Sequence, residues 1–353
     1  RGGGPIQSVF NLVERMQGLY DFFIFTADSD LDGSPLQEIT SNAWIPFNKT
    51  TRVFYSVKKQ RTKILLKEIK SIMPDKIFVI GVFDWAFNIF PVLFSPVPVI
   101  ISARGMLHKA GLAYKPLKKK IFLSLFKFLR LNVKHSFHAT DAYEAGEIRN
   151  AIGANTRVFV AGNFPRKLPF IQRPKQEGVL KMITIALVGP MKNHLVVIQS
   201  LKYVKTNVAY HIYGPIKEPG YWEACLQEKD AIAPNASLVY HGELNPGKVP
   251  QTLAEADLFI MPSRTENFGH SIIEALLSGV PVITSTHVPW LQLEKEQAGI
   301  NVEAEPLKLA DAIDRFARMD NSTFQRWKQG ARSYAEAHIH IPELMNQYHL
   351  IFN

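Results

Sequence analysis

Two glutamates, Glu266 and Glu274, flank a glycine, Gly269, in residues 257–285, which read DLFIMPSRTENFGHSIIEALLSGVPVITS. The pattern predicts a buried strand over 257–263, a polar loop over 264–268 and a helix opened by Gly269. That helix ends near Ser278 with Gly279 as its cap, and a second strand follows over 280–285. A glycine at a helix start lets the backbone close on a ligand. The unpaired amides and the helix dipole there favour an anion, phosphate above all. Carboxylates repel phosphate, so Glu266 and Glu274 must face other groups. Sugar or ribose hydroxyls fit, because a carboxylate accepts two hydrogen bonds from a diol.

Such a segment needs a sheet to hold it. Short apolar runs alternate with helix-like patterns along most of the chain, which predicts buried parallel strands flanked by helices. The strand candidates are 22–26, 76–83, 97–103, 135–140 and 156–162 in the first half. In the second they are 181–189, 208–214, 236–242, 257–263, 280–285 and 299–303. Helix candidates between the latter are 193–204, 220–232, 247–256, 270–278, 289–298 and 305–319. The chain of 353 residues is too long for one ordinary core. Residues 165–181, rich in proline and basic residues with little periodicity, form the linker. The expectation is a first α/β lobe over 1–165, a second over 166–336, and a tail over 337–353 whose helix packs back on the first lobe. Ligands of such doubly wound sheets bind at the carboxyl ends of strands, here facing a central cleft. The chain opens at Arg1 with a glycine run and no initiator methionine, and the reading expects a first strand to precede it.

Composition narrows the function classes. At 46% apolar and 20% charged the sequence is that of an ordinary globular enzyme. A single cysteine, Cys225, excludes an intrachain disulfide and a cysteine metal cluster. The longest apolar stretch, 85–103, is interrupted by Pro91, Pro96 and Pro98, so no spanning helix is predicted. The net charge of +10 lies in the first half: residues 1–165 hold 22 basic against 12 acidic residues, and the remainder is balanced. Nine cations fall between Arg104 and Lys134, and no acid occurs between Asp84 and Asp141. This field draws anionic partners.

With those residues in place, the sequence resembles the retaining glycosyltransferases of family 4. The E-x7-E pair sits in the family's strand-loop-helix-strand frame, with Pro262-Ser263 before it, then Asn267-Phe268-Gly269, Ala275-Leu276, Gly279 and Pro281. The resemblance implies the GT-B fold, two Rossmann-like lobes, and roles for single residues. Glu266 would contact the donor sugar and Glu274 the ribose. The backbone at Phe268 and Gly269 would hold the diphosphate. Gly3 and Gly4, in the opening glycine run, resemble the loop that lies against the donor phosphates. Arg104, in Ser102-Ala103-Arg104-Gly105-Met106-Leu107, resembles a loop of the first lobe. Asn163-Phe164-Pro165 resembles the end of that lobe. Tyr213 and Gly214, with Tyr240 and His241, resemble the strand ends that frame the base. Lys192 stands where the family places a cation on the leaving diphosphate. The arginine usual five residues earlier is Leu187 here, and a lost charge-assisted contact costs roughly 1.5–3 kcal/mol. Arg264 or Arg104 is the expected substitute.

The implied reaction is transfer of a sugar, with retention, from a nucleoside-diphosphate sugar to a glycan or lipid-linked hydroxyl in surface polysaccharide synthesis. A UDP-sugar is favoured over a GDP-sugar. Charge develops on the departing diphosphate, where Lys192 and the helix start at Gly269 supply stabilisation, so neither metal nor cofactor is expected. His108 is the candidate to orient or deprotonate the acceptor. Asp28 and Asp30 read as a surface turn rather than a metal pair. Residues 115–134, KPLKKKIFLSLFKFLRLNVK, form a basic helix with an apolar stripe of Ile121, Phe122, Leu125, Phe126 and Leu129; Leu123, Phe128 and Leu131 fall outside it. This suits an anionic membrane surface, with the protein cytoplasmic and peripheral at the inner face. Nucleic acid is not an expected partner, since no recognisable RNA or DNA module is present. The alternative is a family relative that binds nucleotide sugar or glycan without turnover, as Leu187 allows.

Overall fold

The computed structural model describes residues 4–30, 33–113, 116–170, 173–175 and 178–353. The chain forms two compact units. The first runs to Phe164 and takes in Ile341–Asn353; the second is Pro165–His340.

The first unit opens with α1 (Gly4–Arg15), β1 (Phe22–Ala27), β2 (Trp44–Pro46), β3 (Thr51–Ser56) and α2 (Arg61–Ile72). Next come β4 (Ile77–Ile80), a π-helical turn (Trp85–Ile89), α3 (Phe90–Phe94), β5 (Val99–Ser102) and α4 (Lys109–Ala113). It continues with α5 (Pro116–Phe128), α6 (Leu131–Lys134), β6 (Ser136–Ala139), α7 (Ala142–Ile152) and β7 (Val158–Val160). Strands β4, β5, β6 and β7 pair in that order, all parallel. Strands β1, β3 and β2 form a second sheet, in which β2 runs antiparallel to β3. That hairpin departs from the single parallel sheet expected for the lobe. Its cause is local: Asn48 Oδ1 accepts the Thr50 N–H at 3.1 Å, an Asx turn that reverses the chain.

The second unit holds β8 (Leu180–Ile185), α8 (His194–Ser200), β9 (Val208–Tyr213), α9 (Pro219–Gln227) and β10 (Ala236–Tyr240). It continues with α10 (Val249–Ala254), β11 (Leu258–Met261), α11 (His270–Leu277), β12 (Val282–Thr284) and β13 (Gly299–Asn301). It ends with α12 (Pro306–Ala317) and α13 (Asn321–His338). The six strands pair as β10-β9-β8-β11-β12-β13, all parallel. Alternating side chains split between two cores. Met182, Tyr210, Ile212, Leu258 and Ile260 pack on one face, and Ile183, Phe259, Met261 and Val282 on the other. Helices on both faces make the sheet doubly wound. The chain leaves β8 toward β9 and β10 and returns to the opposite side as β11, so the topological switch point lies between β8 and β11.

One expected helix is absent. Residues 289–298 form turns, because Gln292 (φ 58) and Gln297 (φ 51) take left-handed backbone and Asn301 Oδ1 accepts the Leu293 N–H at 3.2 Å. The tail begins at Ile341 rather than 337, since α13 runs to His338 with Asp320 as its cap, accepting the Thr323 N–H at 2.8 Å. The tail helix α14 (Ile341–Phe352) buries Tyr348 and Ile351 against Ile100 and Phe164 of the first unit.

The basic helix also divides differently. Arg130 takes left-handed backbone (φ 54) and separates α5 from α6. Leu123, expected outside the stripe, is buried with Phe126, whereas Ile121, Leu125 and Leu129 of the stripe are exposed. Apolar residues on several faces made the periodicity ambiguous. No helix among the described residues is long and apolar enough to cross a membrane.

Candidate active site

The switch point brings together two loops of the second unit. After β8 the chain turns through Gly189, whose carbonyl accepts the Lys192 N–H at 3.1 Å, before entering α8. After β11 it runs through residues 262–269 into α11. The loops are joined by the Arg264 N–H, which donates to the Met191 carbonyl at 2.9 Å. The Lys192 Nζ donates to Glu266 Oε1, which also accepts from Ser263 Oγ at 2.8 Å. A lysine and a glutamate far apart in sequence thus form one charged pair, with an ammonium that has two further N–H groups to offer. The carboxylate is mostly buried, its side chain 9% exposed.

Gly269 sits at the N-cap of α11 with φ 72 and ψ 58. Left-handed backbone costs a residue with a Cβ about 1–2 kcal/mol. Such a Cβ would also lie 3.2 Å from Ile272 Cδ1. The loop before it is held by Trp290, whose Nε1 donates to the Phe268 carbonyl at 2.5 Å while the two rings meet edge to face at 5.4 Å. The preceding residue Asn267 is exposed, as is Arg264. Trp290 lies within the segment wrongly expected to be helical, so its part in shaping the loop was not visible in the sequence.

Glu274 lies inside α11 and is 5% exposed. Burial pushes its carboxyl up to about 7, against the opposing pull of Arg166. The Arg166 Nε stands 3.4 Å from Glu274 Oε1. Arg166 was absent from the candidate residues. Its basic character next to Asn163-Phe164-Pro165 was the only signal, and partners 108 positions apart are not paired by any local pattern.

At the ends of β9 and β10, Tyr213 stacks on His241 with centroids 4.4 Å apart, and His241 stacks on His211 at 5.1 Å. The facing nitrogens of the two histidines are 2.8 Å apart. Burial lowers both histidine pKa values, followed for His211 by the neighbouring His241 and for both by the Lys181 charge. Gly214 follows at φ 141, where a Cβ would fall 1.9 Å from the Ala186 carbonyl. Tyr240 belongs to the other face: it packs on Trp222 at 4.7 Å and its hydroxyl donates to the Gly214 carbonyl at 2.9 Å. Tyr213 and Tyr240 therefore do not share one surface.

The remaining candidates lie in the first unit. Gly3 is outside the described residues; Gly4 begins α1. Arg104 has left-handed backbone (φ 51), and its Nη1 donates to Asn163 Oδ1. The turn is fixed by Glu144, which accepts the Gly105 N–H at 2.5 Å and the Thr140 N–H at 2.7 Å. His108 Nε2 is buried without a hydrogen-bond partner, and the ring meets Tyr143 edge to face at 5.4 Å. Asp28 and Asp30 are held in a turn, with Asp30 accepting the Gly33 N–H at 3.0 Å.

Residues 166–334 match the family model described as glycosyl transferases group 1. The match falls within the second unit, Pro165–His340. Over 120 residues the chain is 30% identical to an uncharacterized 41.2 kDa protein in the cps region of Klebsiella pneumoniae. That alignment covers 33% of the chain and 32% of the relative, so the chain spans about a third of the length of the curated protein it matches. Similar solved structures include HepE of Anabaena in complex with UDP and glucose, at 16% identity and TM-score 0.69, covering 99% of this chain and 97% of that one. Sucrose-phosphate synthase of Thermosynechococcus elongatus matches at 15% and 0.70, covering 99% and 93%. WaaG, a glycosyltransferase involved in lipopolysaccharide biosynthesis, matches at 12% and 0.69, covering 100% and 97%. The fold is GT-B, with the second unit carrying Lys192, Glu266 and Glu274.

Proposed function

We propose that the protein is a retaining, metal-independent glycosyltransferase of the family 4 type. It moves a sugar from a nucleoside-diphosphate sugar to a glycan or lipid-linked hydroxyl in surface polysaccharide synthesis. The observation that carries this reading is the Lys192–Glu266 pair beside the Gly269 helix start at the switch point. As the glycosidic bond to the diphosphate breaks, negative charge grows on the leaving oxygens. The Lys192 ammonium and the first amides of α11 are set to stabilise it, and groups already in place lose nothing to reorganisation. Glu266 holds Lys192 until the donor arrives and then faces the sugar hydroxyls. Glu274 takes the ribose, Tyr213 and His241 the base. His108, with its unpartnered Nε2, orients the acceptor hydroxyl.

A UDP-sugar is the favoured donor, in keeping with the UDP and glucose bound to HepE. The role of WaaG in lipopolysaccharide biosynthesis is in keeping with a surface polysaccharide. We place the protein in the cytoplasm, held peripherally at the inner membrane face by α5. There Leu117, Ile121, Leu125 and Phe128 are exposed at helical spacing beside exposed Lys118, Lys120 and Lys127.

Release of UDP from UDP-glucose without acceptor tests the chemistry. Slow hydrolysis by the wild type is expected, reduced about 10²- to 10³-fold in Lys192→Ala. Wild-type binding of the donor with no hydrolysis and no transfer to any glycan would instead support a binding protein, the outcome Leu187 allows.

A further inference from the structure

The contact between Arg166 and Glu274 has no counterpart in the spacing that identified the site. Arg166 is the second residue of the second unit and lies far along the chain from α11. Its side chain is 13% exposed and is fixed from two directions. Its Nη1 donates to the Pro246 carbonyl at 2.8 Å, and its Nε faces the Glu274 carboxylate at 3.4 Å. The carbonyl belongs to a short 3-10 turn, Pro246–Lys248, that Asn245 caps by accepting the Gly247 N–H at 2.8 Å. The guanidinium is therefore held by main chain as well as by the carboxylate.

Glu274 needs such a neighbour. It is buried in α11, as are its chain neighbours Ile273 and Ala275. Burial favours its protonated form and Arg166 opposes that effect. The other charged groups on the elements packed here have different partners. On α13, the Arg332 guanidinium donates to the Leu277 carbonyl and to Glu336, and Lys328 donates to the Arg173 carbonyl. His270, one turn earlier on α11, meets the Phe268 ring at 4.7 Å. A protonated carboxyl can donate one hydrogen bond, but only the ionised form accepts from both hydroxyls of a vicinal diol with full strength.

We infer that Arg166 is a positioning residue for the donor's ribose: it holds the Glu274 carboxylate turned so that it accepts from the 2′ and 3′ hydroxyls. The inference rests on the donor-site reading above. It adds a cation from the start of the second unit to a site whose expected arginine is Leu187.

The test compares dissociation constants of UDP and 2′,3′-dideoxy-UDP by calorimetry between pH 6 and 8.5, with the GDP pair run in parallel. The ratio of the two constants isolates the diol and cancels titration of the diphosphate. The wild type should prefer the ribonucleotide by about tenfold or more at pH 8, and less so as pH falls through about 7, where Glu274 takes up a proton. In Arg166→Gln the preference should already fall toward one at pH 7.5 and partly return at pH 8.5; Arg166→Lys should restore it. Arg166→Met, which keeps the length of the stem, replaces the glutamine variant if that does not fold. An unchanged ratio in the neutral variants overturns the inference. So does an equal loss for both nucleotides at every pH, which marks a structural role. No binding of either ribonucleotide to the wild type refutes the donor-site reading itself, whereas wild-type binding with a ratio of one removes only the ribose role.

Discussion

His138 shows how far a single side chain can be committed to one protonation state. Its Nε2 faces the Ala161 carbonyl at 2.9 Å, which makes that nitrogen the donor, and its Nδ1 then accepts from Ser102 Oγ at 2.8 Å. The ring is fully buried, with Tyr348 of α14 at 5.8 Å and Phe78 at 5.2 Å. Burial, and then the Arg104 charge, push its pKa down to about 3. Between that value and the ordinary 6.5 the unfolded chain binds a proton that the folded chain refuses, so stability falls as pH drops through this window. His135 and His194, both lowered to about 4, act in the same direction; Glu274, raised to about 7, opposes them between 4.5 and 7. The melting temperature should decline from pH 6.5 to 4.5, and less steeply in His138→Gln. A parallel decline in the two proteins would show that His138 is not the group responsible.

Among the elements, α5 is where sequence and structure diverge most usefully. Its apolar residues populate several faces, and only tertiary packing decides which of them go inward. Leu123 and Phe126 do, leaving Leu117 at 71%, Ile121 at 63%, Leu125 at 52% and Phe128 at 82% exposure. Beside them an apolar cavity of about 190 Å³ is lined by Trp85, Ile89, Leu93, Phe122, Leu125 and Leu129. The three lysines at the helix start are not equivalent. Lys119 Nζ donates to the Gly111 carbonyl at 2.6 Å and lies 4.8 Å over the Phe83 ring, whereas Lys118 and Lys120 are exposed. A charge reversal that probes membrane contact should therefore spare Lys119. The triple variant Lys118→Glu, Lys120→Glu, Lys127→Glu should co-sediment less with anionic vesicles at unchanged melting temperature. Each lost cation near such a surface is worth about 1 kcal/mol. Unchanged co-sedimentation would argue that α5 meets something other than a bilayer.

For the molecule as a whole, the legible part of the sequence was the part with strong local pattern. Continuous apolar runs marked β8, β9, β11 and β12, and Gly269 and Gly279 marked the limits of α11 because left-handed backbone admits few other residues. The β2–β3 hairpin was missed because β2 has three residues and its turn depends on the Asn48 side chain. Residues 289–298 resembled a helix in composition, yet their role is to deliver Trp290 to the Phe268 carbonyl. Lys192 and Glu266 could be nominated one by one, but their pairing follows from the order of β8 and β11 in the sheet, and that of Arg166 with Glu274 from a contact 108 positions long. Charge is divided as well. The net +10 resides in the first half, while the second unit, which carries the proposed donor site, is close to neutral overall.

The proposed donor site binds a nucleoside diphosphate on the second unit with Glu274 on its ribose. The direct measurement is a thermal-shift panel of UDP, GDP, dTDP, ADP and CMP on the wild type and on Glu274→Ala. A ligand at a hundred times its dissociation constant stabilises by about 2.7 kcal/mol, enough to raise the melting temperature visibly. One diphosphate, UDP by this account, should stabilise the wild type and leave the variant unmoved. If none shifts the wild type, or if the variant responds equally, the assignment of this site to a nucleotide sugar is contradicted.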